Sequence, residues 1–350
     1  MKIDNQIISQ AHPPYIIAEL SGNHNGDINR AIALIDVAAD AGCSAVKLQT
    51  YTAATMTLQS TDKDFVVASD SELWAGRNLY DLYEQAHTPW DWHKRLFTHA
   101  AKRGITIFSS PFDTTAVDFL ESLNVCAYKI ASFEITDAKL LRAVGKTKKP
   151  VIVSTGMATP NEIQFAVDTL KGAGARDIAL LKCTSAYPAK YEDMNISAIK
   201  TLRTEFDTEI GLSDHTMGVT IPVASIAFGA TIIEKHITLD RSDGGVDSEF
   251  SLEPKELQEL VYQCRATHLS LGNGSIGISS AEKPSLKYRR SIYSSKKLTK
   301  GTIIKEDDIV ALRPSIGMSS KHFFDLIGAQ LQCDKEIGDP IFTEDVQLKK

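Results

Sequence analysis

The chain has 350 residues, 43% of them hydrophobic, and a net charge of −6 from interspersed acids and bases, so we expect a large core and no nucleic-acid partner. The N-terminus lacks the apolar core of a signal peptide, and no run approaches the ~20 apolar residues of a membrane span. We therefore expect a cytoplasmic protein without membrane contact, in which five scattered cysteines remain free thiols.

Eight short β-rich runs alternate with amphipathic helical segments up to about residue 271. The runs are almost continuously apolar, as in parallel strands that helices cover on both faces. Eight successive βα units favour a closed (β/α)8 TIM barrel over an open sheet. The predicted strands span residues 15–20, 45–51, 105–110, 126–132, 150–155, 177–184, 209–214 and 231–238.

Two of the predicted helices have clear boundary signals. Asp27 is the expected N-cap of a helix that Gly42 ends. The run Thr159-Pro160-Asn161-Glu162 combines a capping box with a proline at the first helical position. The segment 52–88, by contrast, is long, polar and irregular. Loops of that size after a barrel strand usually cover the site.

The composition changes after residue 271. Residues 272–287 are rich in glycine and serine, which predicts a linker between a barrel domain (1–271) and a small domain (288–350) of short β-like runs. About 60 residues bury only a limited core on their own. We therefore expect the small domain to dock on the barrel or on a second subunit.

His215 and His236 end the seventh and eighth predicted strands. If these strands are neighbours in a barrel, both side chains emerge at the same rim, where neutral imidazoles can share one divalent metal. Taken alone, such a pair more often represents two unrelated polar residues at strand ends.

Other polar residues gather at the same predicted strand ends. Lys47 and Lys129 are each the sole cation in their run, and burying them requires anionic partners, for which an anionic substrate is the simplest source. Hydroxyl groups at further strand ends suit a phosphate. Glu19 is either a reactive carboxylate or a structural partner of Lys47. Asn23 lies in a polar loop that suits either substrate binding or a plain tight turn.

These residues carry a resemblance to the sialic acid synthase family. The matching motifs run in order along essentially the whole chain, and the small C-terminal domain resembles the family's antifreeze-like (SAF, β-clip) module. Three of them, ASFEITD, KCTSAYP and GGVDSEFSLEP, resemble its pseudaminic acid synthase branch. The motifs include AELSGNHNGD, VKLQTYTA, SSPFD, YKIASFEITD, STGMAT, KCTSAYPA, GLSDHTMG and EKHITLD.

The resemblance implies a transferase that condenses phosphoenolpyruvate with the open-chain aldehyde of an N-acetylated amino sugar. The products are phosphate and a nine-carbon 2-keto acid, and the acceptor for the branch is 2,4-diacetamido-2,4,6-trideoxy-altrose. A divalent metal ion, Mn or Mg, would lie on His215 and His236, and Glu19 would transfer protons. Phosphoenolpyruvate would contact Lys47, Lys129, Ser132, Ser154 and Ser213, and the sugar would contact Gln49, Ser110, Glu134, Tyr187 and Asp247. Ser185 stands where the neuraminic acid synthases carry an asparagine, which leaves one phosphate contact open.

The resemblance also implies a domain-swapped homodimer, in which the small domain lends Arg313 to the partner's sugar site. A surface arginine is the simpler interpretation of that residue. Two other functions stay open: a neuraminic or legionaminic acid synthase, and a non-catalytic sugar-binding or ice-binding protein. Phosphate release with each candidate acceptor would separate these three.

Overall fold

The computed structural model describes residues 1–67 and 74–348. Within these ranges eight parallel strands close into a barrel in chain order, with the last strand beside the first, which confirms the predicted (β/α)8 architecture. The strands are β1 (Tyr15–Glu19), β2 (Ala45–Thr50), β3 (Thr106–Pro111), β4 (Tyr128–Ile130), β5 (Val151–Ser154), β6 (Ile178–Cys183), β7 (Glu209–Asp214) and β8 (Ile232–His236). A short hairpin, Lys2–Ile3 with Gln6–Ile7, precedes the barrel.

Helices follow the strands, and the described part of the connection between β2 and β3 holds three of them. In the described ranges the α-helices are α1 (Ile28–Ala41), α2 (Ala53–Met56), α3 (Leu79–Ala86), α4 (Trp90–Arg103), α5 (Thr114–Ser122), α6 (Ala138–Lys146), α7 (Pro160–Ala173), α8 (Ala198–Phe206), α9 (Thr220–Ala227) and α10 (Pro254–Ser270). Short 3-10 turns span Lys63–Phe65, Ser132–Glu134, Tyr191–Asp193, Arg241–Asp243, Lys283–Tyr288, Glu306–Asp308, Ser320–His322, Phe324–Leu326 and Thr343–Asp345.

Both predicted helix starts are confirmed. The Asp27 side chain accepts a hydrogen bond from the backbone N–H of Asn29, and α1 ends at Gly42 in the left-handed region (φ 80°). At α7 the Thr159 hydroxyl accepts from the Glu162 N–H (3.3 Å), while Glu162 Oε2 accepts from the Thr159 N–H (2.7 Å). This reciprocal capping satisfies two donors that the helix cannot pair itself.

Strand register brings the polar groups of β1, β2 and β8 together. Glu19 is level with His236 on one side and with Lys47 on the other. Side chains alternate along each strand, so Glu234 and His236 point to one side of β8 and Lys235 to the other. Lys235 therefore does not join the rim groups; it is fully buried and pairs with Asp214 (Nζ to Oδ2, 2.5 Å).

The chain divides into two compact units, Met1–Gly272 and Asn273–Lys350. In the second unit, β9 (Ser291–Ser294) pairs antiparallel with β10 (Ile309–Leu312), and β11 (Gln330–Leu331) with β12 (Val346–Gln347). This unit has its own small core, which includes Ile292, Leu298, Ile304, Leu326, Leu331 and Ile341. None of the helices in the described ranges combines the length and apolar composition that crossing a membrane requires.

Candidate active site

A cavity of about 550 Å³ opens at the carboxyl ends of the strands. Its walls come from the strand ends and from the irregular connection between β2 and β3. Most of the predicted site residues line it: Lys47, Gln49, Lys129, Ser132, Glu134, Ser154, Ser185, Tyr187, Ser213, His215, His236 and Asp247.

Glu234 is the centre of a buried charge cluster at the bottom of this cavity. Its Oε1 lies 3.1 Å from Lys47 Nζ and 3.5 Å from Lys129 Nζ, and it accepts a hydrogen bond from Ser213 Oγ (3.2 Å). Lys47 Nζ is also 3.1 Å from Glu19 Oε2. The two lysines therefore do not depend on a substrate for an anionic partner, because carboxylates of the chain lie beside them, and both lysines still line the cavity.

The pKa values in this cluster follow from burial and from the opposite charges. Burial opposes ionisation of Glu234, but Lys129 and Lys47 outweigh it and lower its pKa to about 2. Burial also lowers the pKa of Lys129. For Lys47, the two carboxylates Glu19 and Glu234 outweigh burial and raise the pKa. The cluster therefore holds a permanent carboxylate between two ammonium groups that face the cavity.

Glu19 lies just beneath the cavity and is fully buried. Gln49 Nε2 donates to its Oε1 (2.9 Å), while its Oε2 faces Lys47 without hydrogen-bond geometry. Burial raises the pKa of Glu19 in spite of the neighbouring ammonium group. A carboxyl group with a raised pKa beside a polar cavity is suited to accept and return a proton.

Three serines, Ser132, Ser154 and Ser185, line the same cavity as the lysines. Ser132 Oγ accepts from the Gly156 N–H (3.1 Å), and Ser154 Oγ is buried without a hydrogen-bond partner among the described residues. A Cβ atom on Gly156 would lie 2.2 Å from Ser185 Oγ and 2.7 Å from Ser132 Oγ. Glycine at this position thus allows the Ser132 and Ser185 hydroxyls to lie close to the backbone.

His215 and His236 face each other across the rim, with ring centroids 5.3 Å apart. His215 Nδ1 is 3.0 Å from the Thr184 carbonyl, which can only accept, so this nitrogen carries the proton and Nε2 is the nitrogen that could bind a metal. Burial opposes protonation of His215, but its contact with Cys183 outweighs burial and raises the pKa of His215. His236 Nδ1 is buried, lacks a hydrogen-bond partner in the described chain, and lies 3.6 Å from Asp247 Oδ2. Neutral imidazoles with unshared lone pairs are the form that binds a divalent metal.

The pair would be an open metal site. Across the described residues, no group of three or more His, Cys, Asp or Glu side chains has the arrangement of a metal site. Two protein ligands would leave several coordination positions for substrate oxygens.

Four predicted site residues do not line the cavity. Glu19 and Ser110 lie below it, and Ser110 Oγ accepts a hydrogen bond from Lys47 Nζ (3.4 Å). Asn23 donates to the Ile237 carbonyl (2.8 Å) and to Ser251 Oγ (2.8 Å). Asn23 therefore stays a predicted substrate contact that the structure does not bring to the cavity, because backbone and hydroxyl partners use its amide to hold the loop after β8. Arg313 belongs to the second unit and is exposed.

Sequence reasoning missed two groups in the cavity. Glu234 carried a signal, since it is two residues before His236 on the same strand and must share its face. Cys183 ends β6, and its sequence context gave no signal beyond that of a free thiol. Burial raises the pKa of that thiol, but contacts with His215 and Ser132 bring it down to about 7.

Comparison with known proteins identifies the family. The NeuB family model matches residues 34–276, and the SAF domain model matches residues 289–347. A pseudaminic acid synthase from Campylobacter jejuni is 42% identical over 331 residues, covering 95% of this chain and 96% of that protein. An N,N'-diacetyllegionaminic acid synthase from the same species is 38% identical over 326 residues, covering 89% of this chain and 94% of that protein.

A solved structure supports the same assignment. N-acetylneuraminic acid (sialic acid) synthetase from Leptospira borgpetersenii, in complex with citrate, superposes with a TM-score of 0.73 at 35% identity, covering 82% of this chain and 94% of that one. The family model spans well over half of the sequence, and the relatives cover nearly all of it. With its (β/α)8 barrel followed by an SAF domain, this chain belongs to the NeuB family.

Proposed function

We propose that this chain is a pseudaminic acid synthase, a transferase that joins phosphoenolpyruvate to 2,4-diacetamido-2,4,6-trideoxy-altrose and releases phosphate. The observation that carries the proposal is a single cavity holding two buried lysines, a cluster of hydroxyls and a facing histidine pair. The 42% identical pseudaminic acid synthase supports the choice of acceptor. We place the reaction in the cytoplasm, where the five free cysteines would stay reduced.

The charged floor of the cavity suits phosphoenolpyruvate. Lys47 and Lys129 would offset the charge of its phosphate and carboxylate groups, and Ser132, Ser154 and Ser185 would donate hydrogen bonds to phosphate oxygens. Because Glu234 holds both ammonium groups in place beforehand, little reorganisation is needed when the anion arrives.

The reaction joins C3 of phosphoenolpyruvate to the aldehyde carbon of the sugar. The enol π electrons form the new bond, the aldehyde C=O π bond breaks, and its oxygen takes up a proton to become a hydroxyl. C2 becomes electron-poor, and a water molecule adds there while losing a proton. The bond between C2 and the phosphate oxygen of the tetrahedral adduct then breaks, phosphate leaves, and the C2 hydroxyl loses its proton to give the 2-keto group. Glu19 would accept the proton of the water. A divalent metal, Mn or Mg, on His215 and His236 would supply Lewis-acid polarisation of the aldehyde.

The acceptor assignment predicts a clear order of substrates. With phosphoenolpyruvate and Mn²⁺ or Mg²⁺, the 6-deoxy diacetamido sugar should give a kcat/KM at least ~10-fold above that of N-acetylmannosamine, since each misplaced methyl-sized group costs roughly that much. Initial rates of phosphate release measure it. A higher kcat/KM for N-acetylmannosamine would refute the branch while leaving the family intact. A higher value for the manno-configured diacetamido sugar would favour a legionaminic acid synthase. No phosphate release with any acceptor would favour the sugar-binding alternative.

We further propose a domain-swapped homodimer in which the SAF domain of one subunit covers the partner's site. Each unit has exposed apolar side chains that such a contact would bury. On the barrel loops, Phe133 and Met157 are 63% and 62% exposed. In the second unit, Ile316 and Phe324 are 57% and 75% exposed. Arg313 would then reach the acceptor, where its planar guanidinium can donate to several sugar oxygens.

A mixed dimer would test this arrangement. Arg313→Ala should raise the KM of the acceptor about 10-fold and that of phosphoenolpyruvate much less, because one or two hydrogen bonds are lost. Arg313→Lys is the matched control that keeps the charge. Mixing Glu19→Gln with Arg313→Ala subunits should restore activity, since half of the sites in heterodimers would be intact. If subunit exchange is demonstrated but the activity of the mixture stays at the level of the two separate variants, Arg313 does not act in trans.

A further inference from the structure

Part of the cavity lining is apolar. Six side chains form what we term the apolar wall: Met56, Val67, Leu79, Leu82, Phe112 and Val246. They come from α2, from α3 and the segment before it, from the residue after β3, and from the loop that follows β8. The cavity lining therefore combines the buried charge cluster with a set of hydrocarbon side chains.

The apolar wall is held together by specific contacts. Trp74 Nε1 donates to the Val246 carbonyl (2.9 Å) and so ties the loop after β8 to the connection between β2 and β3. A Cβ atom on Gly22 would lie 2.4 Å from Val246 Cγ2 and 3.0 Å from the Ala86 carbonyl oxygen, so glycine permits close approach here. Tyr51 packs edge-on against Phe112, with centroids 5.2 Å apart.

The apolar wall should bind methyl groups more favourably than hydroxyl groups. The six wall side chains carry no oxygen or nitrogen, so a sugar hydroxyl pressed against them would lose its water partners without replacement, at a cost of roughly 10-fold or more in binding. A methyl group there would gain from leaving water. N-acetylmannosamine has hydroxyls at C4 and C6, whereas the diacetamido acceptor has an acetamido group and a methyl group.

We propose that the apolar wall determines acceptor specificity by seating the methyl groups of the C4 acetamido substituent and of C6. This inference rests on the proposed function, because it takes the acceptor to be an amino sugar whose aldehyde lies at the histidine pair. The sugar carbons farther from the aldehyde, C4 to C6, would then lie against the apolar wall. The wall recognises the deoxy diacetamido class and does not itself distinguish altro from manno configuration.

An isosteric substitution tests the wall. Val67→Thr keeps the shape of the side chain and adds one hydroxyl, and Val246→Thr does the same from the opposite loop. Each should lower kcat/KM for the 6-deoxy diacetamido sugar about 10-fold and leave that for N-acetylmannosamine within about 2-fold. The KM of phosphoenolpyruvate should not change. Equilibrium binding of each sugar alone, by calorimetry, should show the same selective loss.

Val66→Thr is the matched control. Val66 forms a bridge with Asn78 and does not line the cavity, so the same chemical change should leave both sugars unaffected. The role of the apolar wall would be overturned if Val67→Thr and Val246→Thr lowered kcat/KM equally for both sugars or did not lower it at all. This holds even if turnover by the unmodified protein is normal. A third outcome is that no turnover is found, but the protein binds the diacetamido sugar selectively and the two variants weaken that binding. This outcome would overturn the proposed function and leave the role of the apolar wall in place.

Discussion

His236→Ala is expected to abolish measurable turnover while the barrel stays folded. A bound metal contributes several kcal/mol of charge stabilisation, and each 1.36 kcal/mol is tenfold in rate, so kcat should fall at least ~10³-fold. His236 is buried at the end of β8 and its Nδ1 lacks a hydrogen-bond partner within the described residues, so truncation removes no hydrogen bond of that atom from the described structure. Rates of phosphate release and a thermal melt measure the two halves of the prediction.

Metal binding gives an independent measurement. Mn²⁺ binding, followed by electron paramagnetic resonance, should weaken in His236→Ala and in His215→Ala. The control is His99→Ala, because His99 contacts Asp36 (2.8 Å) on the outer helices and not the cavity. Chelation should stop the wild type reversibly. Full activity in excess chelator would remove the metal from the mechanism.

The sequence predicted the barrel because its information is local and repeated. Each apolar run is bounded by turn residues, and eight of them leave few alternatives to closure. Closure then makes the first and last strands neighbours, which is why residues as distant as Glu19 and His236 become level. The histidine pair could be inferred for the same reason, since only strand adjacency and strand ends were needed.

The pairing of the lysines was harder to predict. Lys47, Lys129 and Glu234 come from three different strands, and no spacing along the chain states which carboxylate lies between two ammonium groups. The alternation of β8 could have indicated that Glu234 faces inward. It does not give the 3.1 Å and 3.5 Å contacts, which depend on barrel geometry and rotamers.

The apolar wall and the role of Asn23 lay beyond pattern reasoning. The wall comes mainly from a segment without regular periodicity, so its apolar residues could not be assigned to a common face. Asn23 looked like a binding residue because it is polar and lies in a rim loop. In a folded protein such an amide can satisfy buried backbone groups just as well, and here it does.

Glu19→Gln should remove proton transfer without removing substrate binding. Glutamine matches the size of glutamate, and its amide can still meet Gln49, so both KM values should stay within about 3-fold. Loss of a positioned base should lower kcat roughly 100-fold to 10,000-fold. Steady-state kinetics with both substrates varied separates these effects.

The pH dependence gives the sharper test of the same residue. Burial raises the pKa of Glu19, so its carboxylate is lost as pH falls through that raised value, and kcat of the wild type should fall in the same range. This acidic limb should be absent from the residual activity of Glu19→Gln. Glu134 is the matched control, because burial raises its pKa to about 7 and it also lines the cavity. Glu134→Gln should alter the acceptor KM and keep the limb in kcat. If the limb persists in Glu19→Gln and disappears in Glu134→Gln, the proton acceptor is Glu134 and the buried carboxyl beside Lys47 serves only to compensate charge.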